Sequence, residues 1–371
     1  MSMANQNQSV KSVEKFLHAV NSVFGCEYRI LDRLWKRFGN WRYVWEMASV
    51  SELVAAGVGE KFAGRLVERR RKFDVDAEFA MVWEKDIVIV SRQHVEYPKV
   101  LLQLPDAPYL FYRKGAPLHS HANMMAIVGT RKPSSYGEKI AYELAENLAL
   151  QNVTIVSGLA FGIDAVAHFA TVSIHKPTVA VLASGLYEIT PSTHHRLTEK
   201  ILEFGGSLIS EYPPSDPAYP RRFLERNRII AGLCETTVVI EAGERSGALV
   251  TARLANEYNR DVYAVPGDIH RPQAQGCLKL LSDGAHPLIS IPKFLLDHDL
   301  QSQKALPPLT LEELQVVDAF QPEPFSTDFL AEKTMLPIQN LHMLLTQLEM
   351  KGVVRMNKNF LWESQFIPQS Q

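Results

Sequence analysis

Residues 127–137 read IVGTRKPSSYG: an apolar run ending in Gly129, then Thr130 and Arg131, then a second glycine, Gly137, from which a helix can open. Strand, glycine turn and helix start in that order make a phosphate cradle. The glycine lets the backbone approach an anion, the helix end offers amide donors and a positive dipole end, and Arg131 adds a planar, permanently charged fork. Altered forms recur as SGLAFGID at 157–164 and EAGERSGALVTA at 241–252. Three such turns on one sheet predict a groove for several phosphates, in which Ser157, Gly158, Ser246 and Gly247 add hydroxyl and amide donors to those of Gly129 and Thr130.

Around these turns, residues 124–290 alternate strand-like and helix-like stretches. The strands read MMAIVG, VTIVSG, TVAVLASG, SLISEYP, TTVVIEAG, DVYAVPG and HPLIS, and helices such as EKIAYELAENLALQ and ALVTARLANEYN lie between them. This predicts an α/β fold, a Rossmann-like doubly wound and mostly parallel sheet, with its ligand crevice beyond the carboxyl ends of the strands. The preceding YPKVLLQLPDAPYLFYRKG reads as an extended lead-in strand because of its prolines. Residues 11–85 have helical periodicity, as in Ile30, Leu31, Leu34 and Phe38 before the break at Gly39. The expected division is therefore a helical domain over 1–90, the sheet domain over 91–298, and a linker with a third domain over 299–371.

Within the helical domain, LVAAGVGEKFAGRLVERRRK resembles a helix-hairpin-helix, with Gly57 and Gly59 in the hairpin and Ala63 and Leu66 packing the second helix. Lys61, Arg65, Arg69, Arg70, Arg71 and Lys72 follow closely. Two readings stand: phosphate contact by the hairpin amides, or a packing module with a solvated charged face. The third domain follows the linker DLQSQKALPPL. One helix can start at Ser326, another at Pro337 with Leu341, Leu344, Leu345 and Leu348 on one face, and VVRMN and FLW can pair as a hairpin, which together suggest a winged helix. No Lys or Arg lies between Thr334 and Met350, so protein contact suits that helix better than phosphate contact.

The 371 residues are 46% hydrophobic and 22% charged with a net charge of -2, so any anion binding must come from a local cluster. The densest such cluster in the sheet domain is RRFLERNRIIAGL at 221–233, which sets Arg226 and Arg228 around Asn227 just before an apolar helix. Either it reaches the crevice or its arginines form a structural ion-pair hub with Glu211 or Glu241. Lys176, just before TVAVLASG, is a further and lonelier cation. Three cysteines, Cys26, Cys234 and Cys277, are too few and scattered for a zinc site or a disulfide framework. The polar start MSMANQNQSVKSVEK has no signal-peptide core, and no stretch has the roughly 20 apolar residues of a membrane helix, so a cytoplasmic protein with no membrane partner is expected.

Missing signatures discriminate further. Without G-x-G-x-x-G after the first strand or G-x-x-x-x-G-K-[ST], neither a dinucleotide cofactor nor P-loop hydrolysis is expected, and no other cofactor is implied. A catalytic alternative would need a base, for which Asp164 and His168, four apart on one helix, and Glu241, at the end of a strand near the groove, are the candidates. The alternative is that Asp164 faces its helix start and His168 packs on the sheet. His194 and His195 have no partners at metal-ligand spacing, so no metal site is expected.

Taken together, VGTRKPSSYG, SGLAFGIDAVAH, RNRIIAGL, EAGERSGALVTA, VPGD and QGCLKLLSDGA stand in the order and spacing of the DprA/Smf family of DNA-processing proteins, which the chain resembles over residues 95–290. The flanks resemble that family's N-terminal SAM-like helical domain and C-terminal winged helix. The resemblance implies a non-enzymatic protein of natural transformation that binds and protects incoming single-stranded DNA and helps to load the RecA recombinase. It also implies a homodimer formed through the sheet domain, to which residues 278–281 can contribute. Family DNA contacts carry over to Gly129, Thr130, Arg131, Ser157 and Gly158, with Lys176, Arg226, Asn227 and Arg228 as further candidates. Two departures bear on loop shape: Ala183 stands where a glycine is common, in a loop that lacks the usual Tyr-Pro, and Leu224 rather than proline follows Phe223. The alternatives are a phosphoribohydrolase-like enzyme, whose P-G-G-x-G-T-x-x-E signature is absent at EAGERSGALVTA, and a mononucleotide-sensing scaffold.

Overall fold

A computed structural model describes residues 3–25, 27–121, 123–300, 309–320, 325–357 and 360–364. It divides the chain into two compact units, Met1–Ser302 and Gln303–Gln371. The linker expected over 299–309 falls largely outside the described residues, as does Cys26.

The first unit is built on a nine-stranded sheet in the order β1-β2-β6-β5-β4-β3-β7-β8-β9. The strands are β1 (Ile87–Ser91), β2 (Leu110–Gly115), β3 (Met124–Gly129), β4 (Thr154–Ser157), β5 (Thr178–Val181), β6 (Ser207–Ser210), β7 (Thr236–Ile240), β8 (Asp261–Ala264) and β9 (His286–Pro287). From β6 to β9 all neighbours are parallel, and β1 and β2 add an antiparallel edge. The chain winds from β3 outward to β6, then returns to place β7 on the other side of β3. That reversal makes the switch point at which doubly wound sheets bind ligands. Helices Ser135–Leu150 and Ile163–Ser173 pack with Ile127, Ile155 and Val238 on one face; Pro220–Leu233 and Gly247–Glu257 pack with Val128, Val156 and Val239 on the other.

Two local expectations are revised. Pro98 caps a one-turn helix, Lys99–Leu102, so only the second half of the lead-in is a strand; proline is tolerated at a helix start because the amide it lacks has no intrahelical partner there. The segment IVIVS, counted with the helical domain from sequence, forms β1 and pairs Ser91 with Leu110. The helices of residues 3–84 pack on this edge: Leu31, Trp41, Val44, Leu53, Ala63 and Leu66 share one apolar core with Ile87, Tyr109, Tyr112 and Leu182. The hairpin reading is met in the backbone, where Val50–Ala55 and Glu60–Arg69 flank Gly57 at φ 85° with Ala63 and Leu66 fully buried.

The second unit has helices Leu311–Asp318, Thr327–Thr334 and Ile338–Met350 followed by an antiparallel hairpin, β10 (Val354–Met356) and β11 (Trp362–Ser364). Leu341, Leu344, Leu345 and Leu348 are buried with Val316, Leu330 and Trp362, giving a winged helix with its own core.

Candidate nucleic-acid interface

The loop after β3 is held from both sides. The Thr130 amide donates to the Glu241 carbonyl at 2.7 Å, and the Thr130 carbonyl accepts from the Ile163 amide at 3.2 Å. These bonds tie together the three glycine turns read from the sequence. Gly129 is required by the close approach: any Cβ there would overlap the Ile240 carbonyl and the Ile163 side chain. The loop then projects Arg131 outward. Its side chain is exposed, makes no ion pair among the described residues, and sets its guanidinium 5.2 Å from the ring centre of half-buried Phe223. A solvated arginine held over an aromatic face keeps its planar fork of donors turned to solvent.

The helix that follows differs from the expected open cradle. Its first turn begins at Ser135, capped by the Ser134 hydroxyl, which accepts from the Gly137 amide at 3.3 Å. Buried Glu241 then covers this end: its carboxylate accepts from the Ser134 amide at 2.8 Å and from the Ser134 hydroxyl. A protein carboxylate thus already sits where a helix-end anion would be favoured. Beside it, Tyr136, Val265, Pro266, Asp268, Arg271 and Ala274 line a cavity of about 380 Å³.

The second turn is likewise satisfied internally. The Ser157 hydroxyl donates to the Ile127 carbonyl at 2.6 Å, and the Gly158 and Ala160 amides donate to Asp164 at 3.1 and 3.4 Å. Asp164 therefore faces its own helix start, and burial pushes its carboxyl up against the opposing pull of Arg226. His168 is fully buried, with Nδ1 2.8 Å from the Thr178 hydroxyl, and burial lowers it to about 3. Both residues occupy the packing positions foreseen as the alternative to catalysis.

The basic cluster of 221–233 divides. Pro220 opens the helix Pro220–Leu233, so Arg226, Asn227 and Arg228 lie within it rather than before it. Arg226 is 3% exposed and donates to the carbonyls of Gly158, at 2.8 Å, and Val181, at the carboxyl ends of β4 and β5. Burial lowers its pKa to about 10, with Asp164 opposing, so it stays charged at neutral pH. A Cβ on Gly158 would strike this guanidinium. Asn227 accepts from Arg226 Nε at 3.2 Å and donates to the Gly247 carbonyl at 3.1 Å. Arg228 is ion-paired with buried Glu211 and donates to the Asp106 carbonyl at 2.6 Å. Burial works to lower its pKa, but Glu211 and Asp106 outweigh that and raise it. Ser246 caps Gly247–Glu257, its hydroxyl accepting from the Ala248 amide at 3.3 Å, while Gly247 is exposed.

Gly129, Thr130, Arg131, Ser157, Gly158, Arg226, Asn227, Ser246 and Gly247 thus lie around the carboxyl ends of the strands flanking the switch point, and Arg228 lies farther along that edge. Lys176 does not join them. It precedes β5, so it stands at the amino ends of the strands, where it donates to Asn152 at 2.9 Å. Sequence reasoning missed Phe223, an aromatic four residues into a helix with no local signal, and Glu241 as the cover of a helix end. Cys234 and Cys277 are buried thiols raised by burial. No metal-binding group of His, Cys, Asp or Glu occurs among the described residues, nor is any described helix long and apolar enough to cross a membrane.

A doubly wound sheet with a switch-point crevice at its carboxyl edge, an exposed arginine there, and a separate winged helix define a Rossmann-like α/β protein with a winged-helix unit. The chain belongs to the DprA/Smf family of DNA-processing proteins: residues 88–298 match the family described as DNA recombination-mediator protein A, and residues 301–356 match the DprA winged helix domain. It is 31% identical to Protein Smf of Synechocystis over 95% of this chain and 97% of that one, and 44% identical to Protein Smf of Escherichia coli over 54% of each. The solved structure of DNA processing protein A from Streptococcus pneumoniae covers 76% of this chain and 97% of its own, with TM-score 0.65 and 30% identity. A structure described as revealing the single-stranded DNA binding mode of the Helicobacter pylori protein covers 58% and 97%, with TM-score 0.53 and 28% identity.

Proposed function

We propose that this protein binds single-stranded DNA through its backbone, without catalysis, in natural transformation, protecting the incoming strand and helping to load the RecA recombinase. The observation that carries the reading is Arg131: an exposed guanidinium with no ion-pair partner among the described residues, fixed at the switch point over Phe223. Contacts of this kind position a strand without reading its bases, so sequence preference is small. Gly129, Thr130, Ser246 and Gly247 border the same edge. Arg226, Asn227, Ser157 and Gly158 support the strand from beneath by fixing the turns that present Arg131. The Helicobacter pylori relative, described as binding single-stranded DNA, supports the ligand class. A homodimer and cytoplasmic location complete the proposal, as does a three-part organisation with boundaries near 90 and 299.

The test is a salt titration of binding to single- and double-stranded DNA of two unrelated sequences. Wild type should prefer single strands with a steep salt dependence. Arg131→Ala should weaken both sequences equally and reduce the slope of log affinity against log salt by about 0.7, the value of one single-strand phosphate contact. An unaltered slope and affinity would remove Arg131 from the site. Binding of a mononucleotide but no oligonucleotide would support a nucleotide sensor instead.

A further inference from the structure

The sheet edge that carries Arg131 continues to the helical region. β2 is antiparallel to β6, and β1 to β2, so the start of β2 at Leu110, the end of β1 at Ser91 and the end of β6 at Ser210 share the edge at which β3, β4 and β7 end. At this far end lies a cleft of about 350 Å³ lined by Tyr28, Arg29, Asp32, Arg33, Lys36, Arg92 and Pro105. Four cations face one carboxylate, and Asp32 is engaged, 2.7 Å from Lys36 and 3.3 Å from Arg92. Arg92 is used within the fold, donating also to the Pro108 carbonyl at 3.2 Å and to that of Ala107. Arg29 and Arg33 are exposed and have no ion pair among the described residues; Arg29 Nε donates to the Tyr28 hydroxyl at 2.9 Å and Arg33 to the Gly57 carbonyl at 2.9 Å. Glu27, exposed at the start of the same helix, is the nearest further acid in sequence.

One helix touches both places. In Pro220–Leu233, Phe223 meets Arg131 at 5.2 Å, and Arg228 sets its guanidinium 5.6 Å from the ring centre of Tyr28 in the cleft wall. Just before Phe223 in the same helix, Arg222, ion-paired with Asp216 at 2.6 Å, lies 4.3 Å from the ring centre of buried Tyr212 and 5.0 Å from that of exposed Tyr219. Exposed Tyr219 and half-buried Phe223 at one end of this helix and half-buried Tyr28 near its other end offer ring faces beside cations, and a base can stack on such faces whatever its identity.

We propose that this cleft is a second subsite for the same DNA strand, in which Arg29, Arg33 and Lys36 hold phosphates downstream or upstream of the one clamped by Arg131. The inference rests on the single-strand reading above. The helix Tyr28–Phe38 thereby lengthens the footprint beyond the sheet crevice. Counting strand positions from β3 to β2, at roughly 4.8 Å each, separates the two subsites by about 19 Å, a length spanned by at most about six nucleotides, the number at the stacked spacing of roughly 3.4 Å, and by fewer when the strand is extended.

The experiment measures anisotropy of labelled oligothymidylates of graded length, from about 4 to about 20 nucleotides, with the full chain at several salt concentrations. Wild type should show a step in affinity at or below about eight nucleotides, by the spacing above. Arg29→Glu with Lys36→Glu should abolish the step, lower long-oligomer affinity at least about tenfold and reduce its salt slope by about 1.4, for two contacts, while leaving the shortest oligomers unaffected. Arg29→Ala with Lys36→Ala serves where the reversal unfolds the chain, since it leaves Arg33 on Gly57 and Asp32 paired with Arg92. A folded variant that keeps the step and slope overturns the proposal, as does equal loss at every length. Loss of the step together with an unaltered Arg131→Ala would keep the cleft as a strand site and reject the switch-point clamp instead.

Discussion

Arg131 and Arg226 lie on the same sheet edge and do opposite work. Arg131 leaves the loop after β3 into solvent, with only the Phe223 face beneath it. Arg226 points inward and ties the ends of β4 and β5 together through the Gly158 and Val181 carbonyls. Residue type is therefore silent on role. What separates a ligand contact from a brace is whether the guanidinium's donors are already satisfied, and a buried cation must be satisfied to be there at all.

The largest expected effect breaks the brace. Arg226→Met leaves the carbonyls of Gly158 and Val181 without this donor and the buried Asp164 carboxyl without the cation whose pull opposes its burial, which should lower unfolding stability by about 3–5 kcal/mol. In the same urea titration Arg131→Ala should stay within about 0.5 kcal/mol of wild type, as exposed substitutions do. Equal losses in the two variants would erase the distinction.

Acid should probe the brace next. His168 packs behind the same turn, and burial, aided by His194 and Arg226, holds its pKa near 3. The folded state thus binds its proton less readily than the unfolded chain, whose histidine titrates near 6.5. The stability it contributes is present above about pH 6.5 and declines as pH falls toward 3. Between pH 7 and pH 5 the loss from His168 alone should be about 2 kcal/mol. Unfolding of His168→Gln at both pH values checks it: the variant should lose about 2 kcal/mol less than wild type over that interval, and an identical loss would show that His168 is not the titrating group.

The division between brace and clamp also explains what the sequence could convey. The sheet was legible because β3, β4 and β7 are buried on both faces and read as continuous apolar runs ending in glycine turns. Gly129 and Gly158 carried a signal because close approach leaves no room for a Cβ. β1 was missed since IVIVS follows a helix without a glycine or proline break, and its partner β2 is remote from that point in the chain. The basic cluster was visible as composition, but its split was not, because whether Arg226 or Arg221 faces solvent depends on the phase of a helix whose start Pro220 sets. Glu241 illustrates the same limit: its cover over the helix at Ser135 joins residues 107 positions apart.

The smallest effect is expected from Lys176→Ala, and it sharpens the comparison by location alone. Lys176 has an exposed ammonium on the same domain, so a protein that held DNA by general positive charge would register its loss. Its position before β5 puts it at the amino ends of the strands, and its one described bond is to neutral Asn152. A strand following the carboxyl edge passes on the other side of the sheet's length. The variant should therefore leave stability within about 0.5 kcal/mol and the salt slope for long oligothymidylates unchanged, since no phosphate contact is removed. A fall of about 0.7 in the slope, matching that of Arg131→Ala, would mean that the strand also runs along the opposite edge, and that exposure rather than position selects the contacts.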